Sequence, residues 1–245
     1  MKHTIFHTIL IGILIFGASM VKAQETIEFP SKDGLLISAD LYRAKESDKF
    51  IILYHQAGWS RGEYQEIAPW LVKIGYNCLA VDLRSGKEVN GIANHTNLRA
   101  VQRKLPTKYI HSFPDIEASV VYLRSNYNPL KIIIWGSSYS SSLVLKYAGD
   151  YPDKIDGVLS FSSGEYFGTD NFISKSAAKI VIPVFITSAK NEEKSWRKIF
   201  EAIKSNKKEY FLPKTLGNHG SRALWAQFED HEFYRKKVSQ FLKQF

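Results

Sequence analysis

The chain has one cysteine, Cys78, in 245 residues. A single thiol forms no internal disulfide, so the fold must rest on its apolar core alone. Cys78 stands in an apolar stretch, 76–81, that reads as a buried strand with nothing nearby to activate a thiolate, which excludes it as a nucleophile. No His-x-His or His-Glu-x-x-His pattern occurs, and the histidines are dispersed. The sequence therefore offers no metal-ligand set and implies no cofactor. No internal repeat and no low-complexity linker divides the chain. A block of one charge sign is also missing. The formal net charge is +9, but Lys and Arg alternate with acids along most of the length, so the excess reads as a basic soluble surface and not as a nucleic-acid site.

What is present begins with a leader. Lys2 supplies a positive start, residues 9–18 an apolar core too short to span comfortably, and Val21-Lys22-Ala23 a small-residue cleavage signal. Residues 1–23 read as a signal peptide, and no Cys follows to make a lipoprotein. The expectation is an exported protein, periplasmic or secreted, without stable membrane insertion after cleavage. Residues 24–245 suit one domain with a substantial core.

The rest is organised around residues 131–150. Residues 132–135 are a continuous apolar run, as in a strand buried on both faces of a parallel sheet. Leu143, Val144, Tyr147 and Ala148 then recur at helical spacing until Asp150-Tyr151-Pro152. Between them stands Gly136-Ser137-Ser138-Tyr139-Ser140, a variant of G-x-S-x-G in which Ser replaces the second Gly. A tight turn from strand to helix can hold Ser138 in a strained, exposed position. Ser137, Ser141 and Ser142 read as capping or packing residues.

Apolar runs at 26–29, 35–42, 50–54, 77–82, 132–135, 157–161, 182–187 and 209–212 predict eight strands, the first two forming an antiparallel hairpin around Asp33-Gly34. Helical patterns at 63–73, 115–124, 192–204 and 224–241, together with the one after the elbow that stops at Asp150, alternate with them, which argues for a mostly parallel sheet covered on both faces. Residues 86–112 are the least regular stretch and read as a lid or a surface loop with one short helix.

The elbow after the fifth strand, His55-Gln56-Ala57-Gly58 after the third and Gly217-Asn218-His219-Gly220 after the eighth together resemble the α/β-hydrolase superfamily. Short length and the lack of a large cap insertion are most similar to its dienelactone-hydrolase-like branch. That resemblance implies an α/β fold and a triad in the chain order Ser, acid, His, here Ser138, Glu192 and His219. The family's usual acid position holds Asn191, so the role moves to Glu192, with Glu193 and Glu165 as further alternatives. The implied oxyanion hole uses the backbone N–H of Tyr139 and of Ala57, with Gln56 as neighbour, and His55 takes a structural role. The implied partner is a small-molecule acyl substrate: a carboxylester, sugar ester, lactone or thioester. A serine peptidase on the same fold and a catalytically inactive binding protein are the other readings. The sequence does not specify the oligomeric state.

Overall fold

A computed structural model describes residues 24–245. The leader read at 1–23 lies outside the described residues. The entry hairpin pairs β1 (Gln24–Pro30) with β2 (Leu36–Tyr42). The buried runs then form β3 (Lys49–Tyr54) and β4 (Asn77–Val81), and later β7 (Lys131–Ser137), β8 (Gly157–Phe161), β9 (Val184–Thr187) and β10 (Lys208–Phe211). These eight strands make one sheet in the order β1-β2-β4-β3-β7-β8-β9-β10. Only β1–β2 and β2–β4 are antiparallel.

Both faces are covered, which is why the central strands are largely apolar. Along β3, Phe50, Ile52 and Tyr54 enter one core and Ile51 and Leu53 the other. Helices α3 (Phe113–Tyr127), α4 (Tyr139–Asp150), α5 (Phe172–Ala177) and α6 (Glu193–Ala202) pack on the first face. On the second lie α1 (Ile67–Lys73) and α7 (His231–Leu242). Burying one large apolar side chain contributes about 1.5–3 kcal/mol. Trp135, fully buried and stacked on Phe161 at 4.5 Å, is a principal such contact. Among the described residues no helix is long and apolar enough to cross a membrane.

Three stretches depart from the sequence reading. The helix expected at 63–73 starts at Ile67, because residues 61–64 form a tight 3-10 turn whose polar groups point inward: Arg61 N–H donates to Asp82 and the Glu63 carboxylate is buried. The helix expected at 224–241 starts at His231. Trp225 is held extended there by donating Nε1–H to the Glu63 carbonyl and by stacking on Trp59, with centroids 5.3 Å apart and planes 7° from parallel. Residues 86–112 hold the expected short helix, α2 (His95–Gln102), and besides it a small hairpin, β5 (Glu88–Val89) with β6 (Ile92–Ala93), and a 3-10 turn at Tyr109–Ser112. Helix α5 was not expected from the sequence.

The chain leaves β3 for β4 on one side, and β7 pairs on the other, so strand order reverses at β3. Parallel sheets place ligands outside the carboxyl ends of strands at such a switch point. Here it brings together the loops after β3 and β7.

Candidate active site

The turn from β7 into α4 is the sharpest point of this crevice. Ser138 has φ 58° and ψ −121°, a conformation glycine normally supplies, at a cost of about 1–3 kcal/mol for a residue with a side chain. Neighbours over-determine it. Ser138 N–H donates to the Phe161 carbonyl at 2.8 Å, and a Cβ on Gly136 would lie 2.5 Å from the Ser140 carbonyl oxygen. The serine at the second small position has its own function: Ser140 Oγ donates to the Tyr54 carbonyl and accepts from Ser137 N–H, both at 2.8 Å, lashing the elbow to β3.

His219 lies in the loop after β10, and its Nδ1 is 2.5 Å from Glu192 Oε1. Glu192 Oε2 accepts from Ser162 Oγ at 2.6 Å, and Ser162 Oγ accepts from Gly220 N–H at 2.8 Å. One hydroxyl at the end of β8 thus braces both the acid and the histidine loop. Burial pushes the Glu192 carboxyl up, but hydrogen bonds from His219, Ser162 and the Ala189 N–H outweigh it and hold it below the usual carboxylate value. It stays ionised. The histidine loop meets the elbow directly. Ser221 N–H donates to Ser137 Oγ at 2.8 Å, and a Cβ on Gly220 would fall 2.6 Å from that oxygen.

The other acids considered are engaged elsewhere. Glu165 accepts from Ile173 N–H, Ser174 N–H and Ser174 Oγ at 2.6–2.9 Å, so it caps the start of α5. Glu193 pairs with Arg197 one turn along α6. Asn191 is exposed.

In the loop after β3, the Gln56 N–H donates to Glu63 at 2.8 Å and is thereby spent, which leaves Ala57 as the next amide toward the elbow. Tyr139 is the first residue of α4, where N–H groups have no intrahelical acceptor. His55 is buried; its Nε2 accepts from Leu83 N–H at 3.0 Å, so the ring proton sits on Nδ1 and meets the Gln56 carbonyl at 2.8 Å. Burial lowers its pKa, and it acts as a neutral brace.

Ser137, Ser162 and Glu63 were missed as site residues. Ser137 neither caps nor merely packs: its hydroxyl donates to Glu63 at 2.7 Å while accepting from Ser221. A pocket of about 630 Å³ opens beside the elbow, lined by Tyr109, Ile110, Tyr166, Phe167 and Phe172 with Ser85 and Lys108. Tyr109 stacks on Tyr139 at 4.6 Å, and Tyr166 Oη donates to the Ser162 carbonyl at 2.8 Å. Among the described residues no three His, Cys, Asp or Glu side chains gather as a metal site would.

Residues 45–165 match the family described as serine aminopeptidase, S33, a span that carries the β3 loop and elbow but not Glu192 or His219. A search of curated proteins found no match. Among solved structures, the esterase Pf2001 of Pyrococcus furiosus superposes with a TM-score of 0.71 at 20% identity, covering 91% of this chain and 92% of its own. A dienelactone hydrolase from Anabaena variabilis gives 0.69 at 13% identity, covering 91% and 99%. A putative dienelactone hydrolase from Klebsiella pneumoniae gives 0.67 at 13% identity, covering 91% and 98%. Sheet order, elbow and these superpositions show that the chain has the α/β-hydrolase fold, with dienelactone hydrolases among its structural neighbours.

Proposed function

We propose that this protein is a serine hydrolase that cleaves carboxylic esters through an acyl-enzyme on Ser138. The observation that carries the reading is the His219–Glu192 contact at 2.5 Å in a loop that bonds, through Ser221 N–H to Ser137 Oγ at 2.8 Å, to the elbow whose strained turn holds Ser138. With the ring proton on Nδ1 facing Glu192, His219 Nε2 is left with a lone pair to take the Ser138 proton as Oγ attacks the ester carbonyl carbon. The tetrahedral oxyanion is met by the N–H groups of Tyr139 and Ala57. Collapse expels the alcohol, protonated by His219. Water, deprotonated by the same nitrogen, then releases the acid and restores Ser138. Throughout, ionised Glu192 supports the imidazolium.

The aromatic pocket fits an apolar or aryl group on the substrate. The family description favours a second reading, an aminopeptidase. Such an enzyme must bind a substrate ammonium, and the charged residue lining this pocket is Lys108, which repels one. Ester hydrolysis is therefore the better reading. Ser138→Ala is expected to abolish turnover of aryl and alkyl esters and labelling by a fluorophosphonate, with an unchanged circular dichroism spectrum. Turnover surviving in that variant would end the assignment. Faster cleavage of amino-terminal peptide anilides than of esters would favour the peptidase.

A further inference from the structure

Glu63 lies outside the triad, yet its carboxylate is wholly buried beside it. Oε2 accepts from Gln56 N–H at 2.8 Å; Oε1 accepts from Ser137 Oγ at 2.7 Å and from Gln56 Nε2 at 3.4 Å. Every one of these donors is neutral. Ser137 Oγ in turn accepts from Ser221 N–H, two residues past His219. One carboxylate therefore joins three segments that are far apart in the chain.

We propose that Glu63 is a positioning residue for the ester hydrolysis described above, a role that rests on that reading. Its carboxylate fixes the loop carrying the Ala57 amide against the elbow and, through Ser137 Oγ, the loop carrying His219. The working form is the ionised one. A carboxylate accepts from Gln56 N–H and Ser137 O–H at once, whereas a neutral carboxyl must aim its own proton at one of these partners.

Burial without a cation makes that ionisation costly and pushes the carboxyl up to about 7, although hydrogen bonds from Ser137 and Gln56 and the charge of His219 pull the other way. The titratable groups facing it are His219 from the loop after β10, Tyr64 on its own turn and Tyr139 from α4. The sign for stability follows. A carboxyl raised in the fold binds its proton more tightly there than in the unfolded chain, so folding is penalised as pH rises from about 4.5 through about 7. The group is least favourable to the fold at the pH where the clamp works.

Glu63→Gln, isosteric and uncharged, tests this. Expected is a fall in kcat of about 10²-fold with little change in KM, since misplacing catalytic groups slightly can cost that much. The acid limb of log kcat/KM in the wild type should be steeper by one proton per pH unit than in the variant, the extra proton being the one on Glu63. The thermal midpoint of Glu63→Gln should exceed that of the wild type at pH 8, the gap closing toward pH 4. Unchanged kcat with an unchanged acid limb overturns the inference, as does a lower midpoint at pH 8, which would make Glu63 a structural residue only. If Glu63→Gln does not fold, Ser137→Ala, which deletes only the bridging hydroxyl, should show the same loss of kcat, and normal turnover there overturns the proposal. A wild type that neither hydrolyses esters nor reacts with fluorophosphonate overturns the function itself; an active wild type matched by Glu63→Gln overturns this inference alone.

Discussion

Buried carboxylates occur in two regions of this molecule and are neutralised differently. Beside the entry hairpin, Arg61 lies 3.0 Å from Asp40 and 2.7 Å from Asp82, and Arg84 lies 2.6 Å from both the buried Asp115 and the exposed Asp33. Each guanidinium is a permanent cation that offsets part of the desolvation of its acids, although burial still leaves Asp82 and Asp115 above the usual carboxylate value. At the crevice, Glu192 faces a histidine that is charged only while it holds a second proton, and Glu63 faces neutral donors. Fixed pairing belongs to the scaffold. Of the two crevice carboxylates, only Glu63 is pushed up by burial and so kept at a cost in stability, whereas hydrogen bonds hold Glu192 below the usual carboxylate value.

The largest effect that tests this contrast is Glu192→Gln. Under the proposed triad, losing this acid should lower kcat by on the order of 10⁴ while the protein remains folded; activity within tenfold of wild type, measured by ester turnover, would place the acid elsewhere. Next is Arg84→Met, which strands Asp115 without its cation. Breaking a buried pair from one side costs about 3–5 kcal/mol. Urea unfolding at neutral pH should show that loss, and a smaller one at acid pH where the carboxylates take protons; a loss below about 1 kcal/mol would erase the distinction between the regions. The charge on Glu63 works in the opposite sense. A rise from 4.5 to about 7 corresponds to roughly 3 kcal/mol of destabilisation at pH 8, which its uncharged variant should recover in part. Smallest is Glu193→Gln, which removes a partly exposed pair with Arg197: about 0.3–0.5 kcal/mol of stability and no change in kcat. A large loss of turnover there would shift the acid by one residue.

The inner strands were legible because burial on both faces writes itself into sequence as continuous apolar runs, while the edge strands β1 and β10 are largely exposed. Helix starts were less so. At 63–66 and 224–230 the local pattern permits a helix, but contacts with distant residues override it, Arg61 with Asp82 and Trp225 with Trp59. The same limit applied at the site. Ser138, His219 and Glu192 stand after strands in a set chain order, so position alone nominated them. Ser137 and Glu63 are 74 residues apart, and Ser162 is 30 from Glu192; nothing in the spacing of a serine or a glutamate announces a partner at that range. Only the folded switch point brings them together.

The Trp59–Trp225 stack has an optical consequence. Two indoles 5.3 Å apart and nearly parallel couple electronically, so their near-ultraviolet circular dichroism differs from that of two separate rings. One indole is carried by the segment that follows the Ala57 amide, the other by the segment that follows His219. The protein thus holds a built-in chromophore pair whose signal is present when those segments are docked and lost when they part, readable without label, substrate or turnover.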